Sequence, residues 1–299
     1  MPHSSCSSPE HIASDIVAAF IDHPVLAETC GQLLEAVPQS GLTNRVFRLS
    51  TETGDYFLRL PRAETASMID RHAEAHNLAL AAELGLALPA IYCNPETGIL
   101  LTGAVETLER APVGFANDLG KSVGRLHSTG GKFHGKLDPA SVYETQKSGL
   151  NQQPDLLKKI SALDAALAKN NKPAFAEGDG TFLVPSHGDL SPGNCLAVGS
   201  GIWLIDWEYS GMSLPAWDLA YAILENGFTA EDEQLFLQGY ATAGGRELLP
   251  TEGQLNLMKS RCDAVSGLWA LEQVARGRDA ATFRPFAQDR IERALGRLR

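Results

Sequence analysis

Three side chains with hard oxygen donors, Asp189, Asn194 and Asp206, stand at spacings that can place a base beside a cation site. Asp189 and Asn194 share the run Ser186-His187-Gly188-Asp189-Leu190-Ser191-Pro192-Gly193-Asn194, and Asp206 follows Leu204-Ile205 in Leu204-Ile205-Asp206-Trp207-Glu208. The order is apolar strand, polar loop, apolar strand, acid at the strand end. In a hairpin those groups converge on one point. Magnesium prefers oxygen ligands and is typically held by one or two side chains together with substrate phosphates and water. Asn194 and Asp206 suit that role. Asp189 is then left to orient an acceptor hydroxyl and take its proton.

Positioning these groups requires a scaffold, and the hydrophobic pattern outlines one. A helix is expected over 12–20, a strand over 33–37, and turn chemistry at Pro38-Gln39-Ser40-Gly41. Residues 45–50 alternate in polarity, Thr51-Glu52-Thr53-Gly54 reads as a hairpin turn, and 56–60 forms a third strand stopped by Pro61. A helix over 66–84 follows, closed by Gly85, and then strands over 89–93 and 98–102 joined by Asn94-Pro95-Glu96-Thr97. After Gly103 the pattern turns helical: 116–127, most of 139–169, and 215–226, 231–243, 251–276 and 279–298, with short strands at 181–184 and 202–205. The expected fold class is α+β. A small antiparallel β-rich lobe over 11–103 precedes a larger, mainly helical lobe over 104–299, with a ligand cleft between them. Residues 1–10, rich in Ser and Pro, read as a disordered lead-in without a signal peptide.

With 299 residues, 44% hydrophobic and 20% charged, the chain has the composition of a soluble globular protein. A net charge of −11 argues against nucleic acid as a partner and is compatible with a cationic substrate, although acidity also serves solubility alone. No apolar run suggests a membrane span. The five cysteines are scattered and form no CxxC, so a disulfide framework or zinc site is not expected, and a cytoplasmic location fits.

The quoted runs resemble the choline/ethanolamine kinase-like branch of the aminoglycoside phosphotransferase and protein-kinase-like superfamily. His187, Asp189 and Asn194 match its HxDxxxxN loop. Ile205-Asp206-Trp207-Glu208-Tyr209 matches the metal-binding segment, and Ala216-Trp217-Asp218-Leu219-Ala220 its continuation. Gly41-Leu42-Thr43-Asn44 resembles the phosphate loop, and Ile69-Asp70-Arg71 to Glu74 with Leu84-Gly85-Leu86 resembles the helix before the fourth strand. The resemblance covers about 38–275. It implies a protein-kinase-like bilobal fold and ATP and Mg2+ as cofactors. Arg59 would be the phosphate-binding cation, Glu74 its helix partner, and backbone N–H groups around Gly41, Leu42, Thr43 and Asn44 a cover for the phosphates. His187 and Asp218 would support the loop, and His127 would pack.

The implied acceptor is the hydroxyl of choline, ethanolamine or a similar amino alcohol. Aromatic faces suit a quaternary ammonium, and Trp207, Tyr209, Trp217, Tyr221 and Trp269 are candidates. Glu208 has three open roles: a second magnesium, the substrate amine, or structure. The helix of Trp269 resembles one that usually carries another tryptophan three residues earlier, where this chain has Ser266. Thiamine, an aminosugar antibiotic or another hydroxylated metabolite therefore stays open as acceptor. A pseudokinase would not need Asp189, Asn194 and Asp206 together, and a metal hydrolase lacks a second histidine at ligand spacing. Helix begins too soon after Asp206 for a protein kinase's activation loop.

Overall fold

The computed structural model describes residues 9–39, 41, 43–62, 69–108, 113–150, 154–170, 182–199 and 201–299. The chain divides into two compact units, Met1–Leu108 and Glu109–Arg299.

The first unit begins with helices α1 (Pro9–Asp22) and α2 (Pro24–Cys30). Strands β1 (Leu33–Gln39), β2 (Asn44–Thr51) and β3 (Asp55–Pro61) follow, then helix α3 (Arg71–Glu83) and strands β4 (Ala90–Asn94) and β5 (Ile99–Gly103). The strands form one antiparallel sheet in the order β1-β2-β3-β5-β4. Side chains alternate between the faces of a strand. Phe47, Leu49, Leu58, Leu60, Ile99 and Leu101 thus share one face, which is buried with Ile16, Ala19, Leu26 and Cys30 of α1 and α2. Arg59, between Leu58 and Leu60, belongs to the other face.

Two local readings are corrected. Pro38 and Gln39 belong to β1 rather than to a turn, with Pro38 opposite Phe47. β1 is an edge strand, where a residue without an N–H costs no ladder bond on its open side. Helix α3 starts at Arg71, so Ile69 precedes it; Asp70 caps it by accepting the Ala73 N–H at 3.0 Å. The rest of its expected first turn, 66–68, lies outside the described residues. At the other end Gly85 takes φ +64°, and the N–H groups of Gly85 and Leu86 bond the carbonyls of Ala82 and Ala81, which closes the helix as its glycine signalled.

The second unit contains helices α4 (Phe115–His127), α5 (Pro139–Ser148), α6 (Pro154–Asn170), α7 (Pro215–Glu225), α8 (Ala230–Tyr240), α9 (Glu252–Ala275) and α10 (Ala280–Arg297). Among the described residues, four short strands lie between them: β6 (Val184–Ser186), β7 (Cys195–Val198), β8 (Gly201–Leu204) and β9 (Gly211–Ser213). The expected strand over 181–184 is corrected to β6, because Phe182 and Leu183 are not strand and residue 181 lies outside the described residues. The hairpin is corrected too. β8 pairs with β7, which was not foreseen, and β6 pairs with β9. Helices α4 and α8 meet backbone to backbone: a Cβ on Gly120 would overlap the Phe236 carbonyl, and one on Gly239 would overlap that of Asn117. Among the described residues no helix is long and apolar enough to cross a membrane.

Candidate active site

Residues 187–194 form the loop between β6 and β7, and its shape is set from behind by Asp218 of α7. The fully buried Asp218 carboxylate accepts the backbone N–H groups of His187 at 2.7 Å and Gly188 at 2.9 Å. His127 Nε2 approaches the same carboxylate at 3.2 Å, and His127 Nδ1 lies 3.0 Å from the Tyr240 hydroxyl. Burial would raise the Asp218 carboxyl, but its bonds to His127 and Gly188 and the two histidines hold it below the ordinary value. Trp217 Nε1 donates to the Gly188 carbonyl at 3.0 Å, and Asn226 Nδ2 to that of Leu190 at 2.9 Å. Gly188, at φ +88°, has no room for a Cβ against the Tyr209 carbonyl. Helix α7 therefore holds the loop from one side and the 207–210 turn from another.

His187 joins the loop to the segment before Asp206. Its Nε2 donates to the Ile205 carbonyl at 2.9 Å, and its Nδ1 accepts the Asp189 N–H at 3.3 Å. That pair of bonds requires the neutral ring, and burial accordingly depresses its basicity against the pull of Asp218 and Asp189.

Within this frame Asn194 Nδ2 donates to the Asp189 carbonyl and to Asp189 Oδ2, at 3.0 Å each. Asp189 Oδ1 is buried with no hydrogen-bond partner. The Ile205 N–H donates to the Asn194 carbonyl at 3.0 Å, continuing the β7–β8 ladder to the residue before Asp206. Asp206 takes φ +63°, the one non-glycine residue with positive φ among the described residues. Such a conformation costs about 1–2 kcal/mol for a residue with a Cβ, although Asp tolerates it better than most. Because the Asn194 nitrogen is committed as a donor, its oxygen is the atom left for a cation. Among the described residues no three His, Cys, Asp or Glu side chains gather as a metal cluster. An Asn–Asp pair completed by substrate oxygens and water fits magnesium's habit.

In the first unit the Arg59 guanidinium is bidentate on Glu74: Nη1 pairs with Oε1, and Nη2 with Oε2 at 2.9 Å. Arg71, whose role the sequence reading missed, adds a bond from Nη1 to Glu74 Oε2 at 2.8 Å and bonds Asn44 Oδ1 at 2.9 Å. Its i,i+3 spacing to Glu74 was the available signal. Burial would raise the Glu74 carboxyl, but the two arginines hold it below the usual carboxylate range. The Asn44 side chain is thus used internally. Gly41 has no room for a Cβ beside the Asn44 carbonyl, and Leu42 lies outside the described residues.

The aromatic candidates separate. Trp207 and Trp217 are buried in the core, Trp207 against Phe133 and His187, Trp217 stacked on Tyr221. Tyr209 is exposed, and Trp269 is half-buried, edge-on to Phe283 at 5.6 Å. Glu208 is buried. Also missed was Glu225 at the end of α7, next to Asn226, which holds the Asp189 loop. It pairs with Arg290 at 2.7 Å and accepts the Ser266 hydroxyl at 3.3 Å.

Residues 35–255 match the model of the APH phosphotransferase enzyme family. The chain belongs to that family. It is 27% identical over 268 residues to Protein LicA of Haemophilus influenzae, spanning 85% of this chain and 97% of that one. Among solved structures, a choline/ethanolamine kinase family protein from Mesorhizobium loti shares 26% identity and a TM-score of 0.70, over 96% of this chain and 99% of that one. The choline kinase LicA from Streptococcus pneumoniae shares the fold with a TM-score of 0.75 at 24% identity, over 95% and 99%. The phosphotransferase class, the protein-kinase-like fold and the kinship with the choline/ethanolamine kinase-like branch thus stand.

Proposed function

We propose that this phosphotransferase moves the γ-phosphoryl group of ATP to the hydroxyl of a small amino alcohol, choline, ethanolamine or a close analogue. The observation that carries the reading is the Asp189 carboxylate, with one oxygen held by Asn194 and the other buried and unpartnered. A carboxylate so placed can accept a hydroxyl proton. Asp189 takes that proton as the alcohol oxygen bonds to phosphorus and the bond to ADP breaks. The products are a phosphomonoester and ADP.

Asn194 and Asp206 are the residues to hold magnesium, which when bound neutralises charge on the nucleotide phosphates. Arg59, its direction fixed by Glu74, serves the phosphates as a further cation, and backbone N–H groups of 41–44 cover them. Tyr209, Glu208 and Trp269 are assigned to the acceptor. Most of the acceleration then comes from positioning and electrostatics. Kinship with proteins described as choline and choline/ethanolamine kinases supports the acceptor class.

A second reading keeps the chemistry and changes the acceptor to thiamine, an aminoglycoside or another hydroxylated metabolite. The burial of Trp207 and Trp217, which removes them from an aromatic cage, favours keeping it. The test is ADP release with ATP and Mg2+ against choline, ethanolamine, thiamine and an aminoglycoside, beside Asp189→Asn. Turnover with the amino alcohols, lost in the variant, is the expected result; turnover only with another acceptor selects the second reading.

A further inference from the structure

One buried carboxylate in the first unit is divided between two cations. Arg59 of β3 and Arg71, the first residue of α3, both bond Glu74, and all three side chains are buried. Burial alone would raise the Glu74 carboxyl, but the two guanidinium groups hold it low, so it stays ionised. In a pair of Arg59 and Glu74 alone, the carboxylate would offset the whole guanidinium charge. Here Arg71 Nη1, at 2.8 Å from Oε2, takes a share of it.

The same arginine reaches the 41–44 segment. Its Nη2 donates to Asn44 Oδ1 at 2.9 Å, and the Asn44 carbonyl lies against Gly41, where a Cβ would approach it to 2.6 Å. The turn between β4 and β5 closes over both cations. The Gly98 carbonyl is 3.4 Å from Arg59 Nη2, and Gly98, at φ +74°, would bring a Cβ to 2.9 Å from Arg71 Nε. Arg71 thus joins three parts of the unit: the carboxylate that directs Arg59, the start of β2, and the β4–β5 turn.

We propose that Arg71 is a positioning residue for the nucleotide phosphates: by sharing Glu74 and gripping Asn44 it keeps the Arg59 charge available and the 41–44 segment in place. The inference rests on the assignment of Arg59 and residues 41–44 to the phosphates made above.

The test is calorimetric binding of Mg2+–ATP, and of adenosine as a probe without phosphates, to the parent, Arg71→Met and Asn44→Asp. Arg71→Met gives Glu74 wholly to Arg59 and releases Asn44. Asn44→Asp keeps a partner for Arg71 Nη2 but draws Arg71 toward the new carboxylate, so Glu74 again offsets Arg59. Both should weaken ATP binding roughly tenfold to a hundredfold, as for one charge interaction in a partly buried site. Adenosine affinity should change less than about twofold, because it carries no charge for the cluster to meet. Asn44→Asp should melt no lower than the parent, since its bond to Arg71 becomes charge-assisted; it decides the matter if Arg71→Met does not fold. In kinetics the KM for ATP should rise and that for the acceptor should not. Unchanged ATP affinity in Asn44→Asp, an equal loss for ATP and adenosine, or a much lower melting temperature overturns the inference. If that happens while the parent still releases ADP with an acceptor, the phosphotransfer reading stands; if the parent neither binds ATP nor releases ADP, both fall.

Discussion

Asn194 donates two hydrogen bonds from one amide nitrogen to Asp189, one to its carbonyl and one to its carboxylate, both at 3.0 Å. The bond to the carboxylate fixes Oδ2, and Oδ1 is left as the oxygen to receive a proton. Asp189→Asn removes the basic oxygen at nearly constant shape. Turnover should fall roughly a hundredfold to ten-thousandfold, as for loss of a general base. The melting temperature should change little, so an unfolded variant would sink the assignment's test and a fully active one the assignment.

Asp206 sits in a left-handed conformation that Asn also adopts readily. Asp206→Asn should therefore fold. With one charge removed from the proposed cation site, turnover at saturating ATP should drop by about a hundredfold or more, and the Mg2+ concentration for half-maximal rate should rise. A Mg2+ titration of ADP release reads both.

Asp218 carries two backbone N–H groups and His127 without touching solvent. Asp218→Ala leaves those donors buried and unpaired, a cost of about 3 kcal/mol or more. Urea unfolding should show it. A variant as stable as the parent would mean that the loop is held by something else.

Gly120 and Gly239 let α4 and α8 touch backbone to backbone. Alanine at either position must push the helices apart, at about 1–3 kcal/mol. Tyr240, at the end of α8, bonds His127, so the same displacement should also lower kcat. Thermal melting and kinetics of the two variants check this together.

Buried His187 and Glu74 contribute to the acid side of the stability curve, and both have folded-state pKa values below their unfolded ones. Burial keeps His187 neutral when folded, whereas unfolded it binds a proton below about pH 6.5. The unfolded state then holds more protons, and stability falls as pH drops through that range. Glu74, held low by Arg59 and Arg71 against burial, adds a further loss below about pH 4.5, completed as pH falls through its folded value. His187→Gln, which keeps a donor for the Ile205 carbonyl and cannot titrate, should flatten the slope between about pH 6.5 and 5. Urea midpoints across that range decide it; an unchanged slope would remove His187 from the account.

What the sequence determined by itself was local and periodic. Alternation in 45–50 predicted β2, and the run 56–60 stopped by Pro61 predicted β3 with Arg59 between two leucines; Gly85 marked the end of α3; and the Asp189, Asn194 and Asp206 spacing marked the candidate site. These follow from backbone geometry and side-chain type over a few residues, which a single chain displays. Only the tertiary structure decided that β8 pairs with β7 while β6 pairs with the distant β9, because pairing partners of short strands are chosen by the whole core. The same holds for the charge partners. Asp218 meets His127, Arg71 shares Glu74 with Arg59, and Glu225 meets Arg290, across separations of up to 91 residues. A buried charge must find a counter-ion wherever folding brings one, and that choice leaves no period in the sequence.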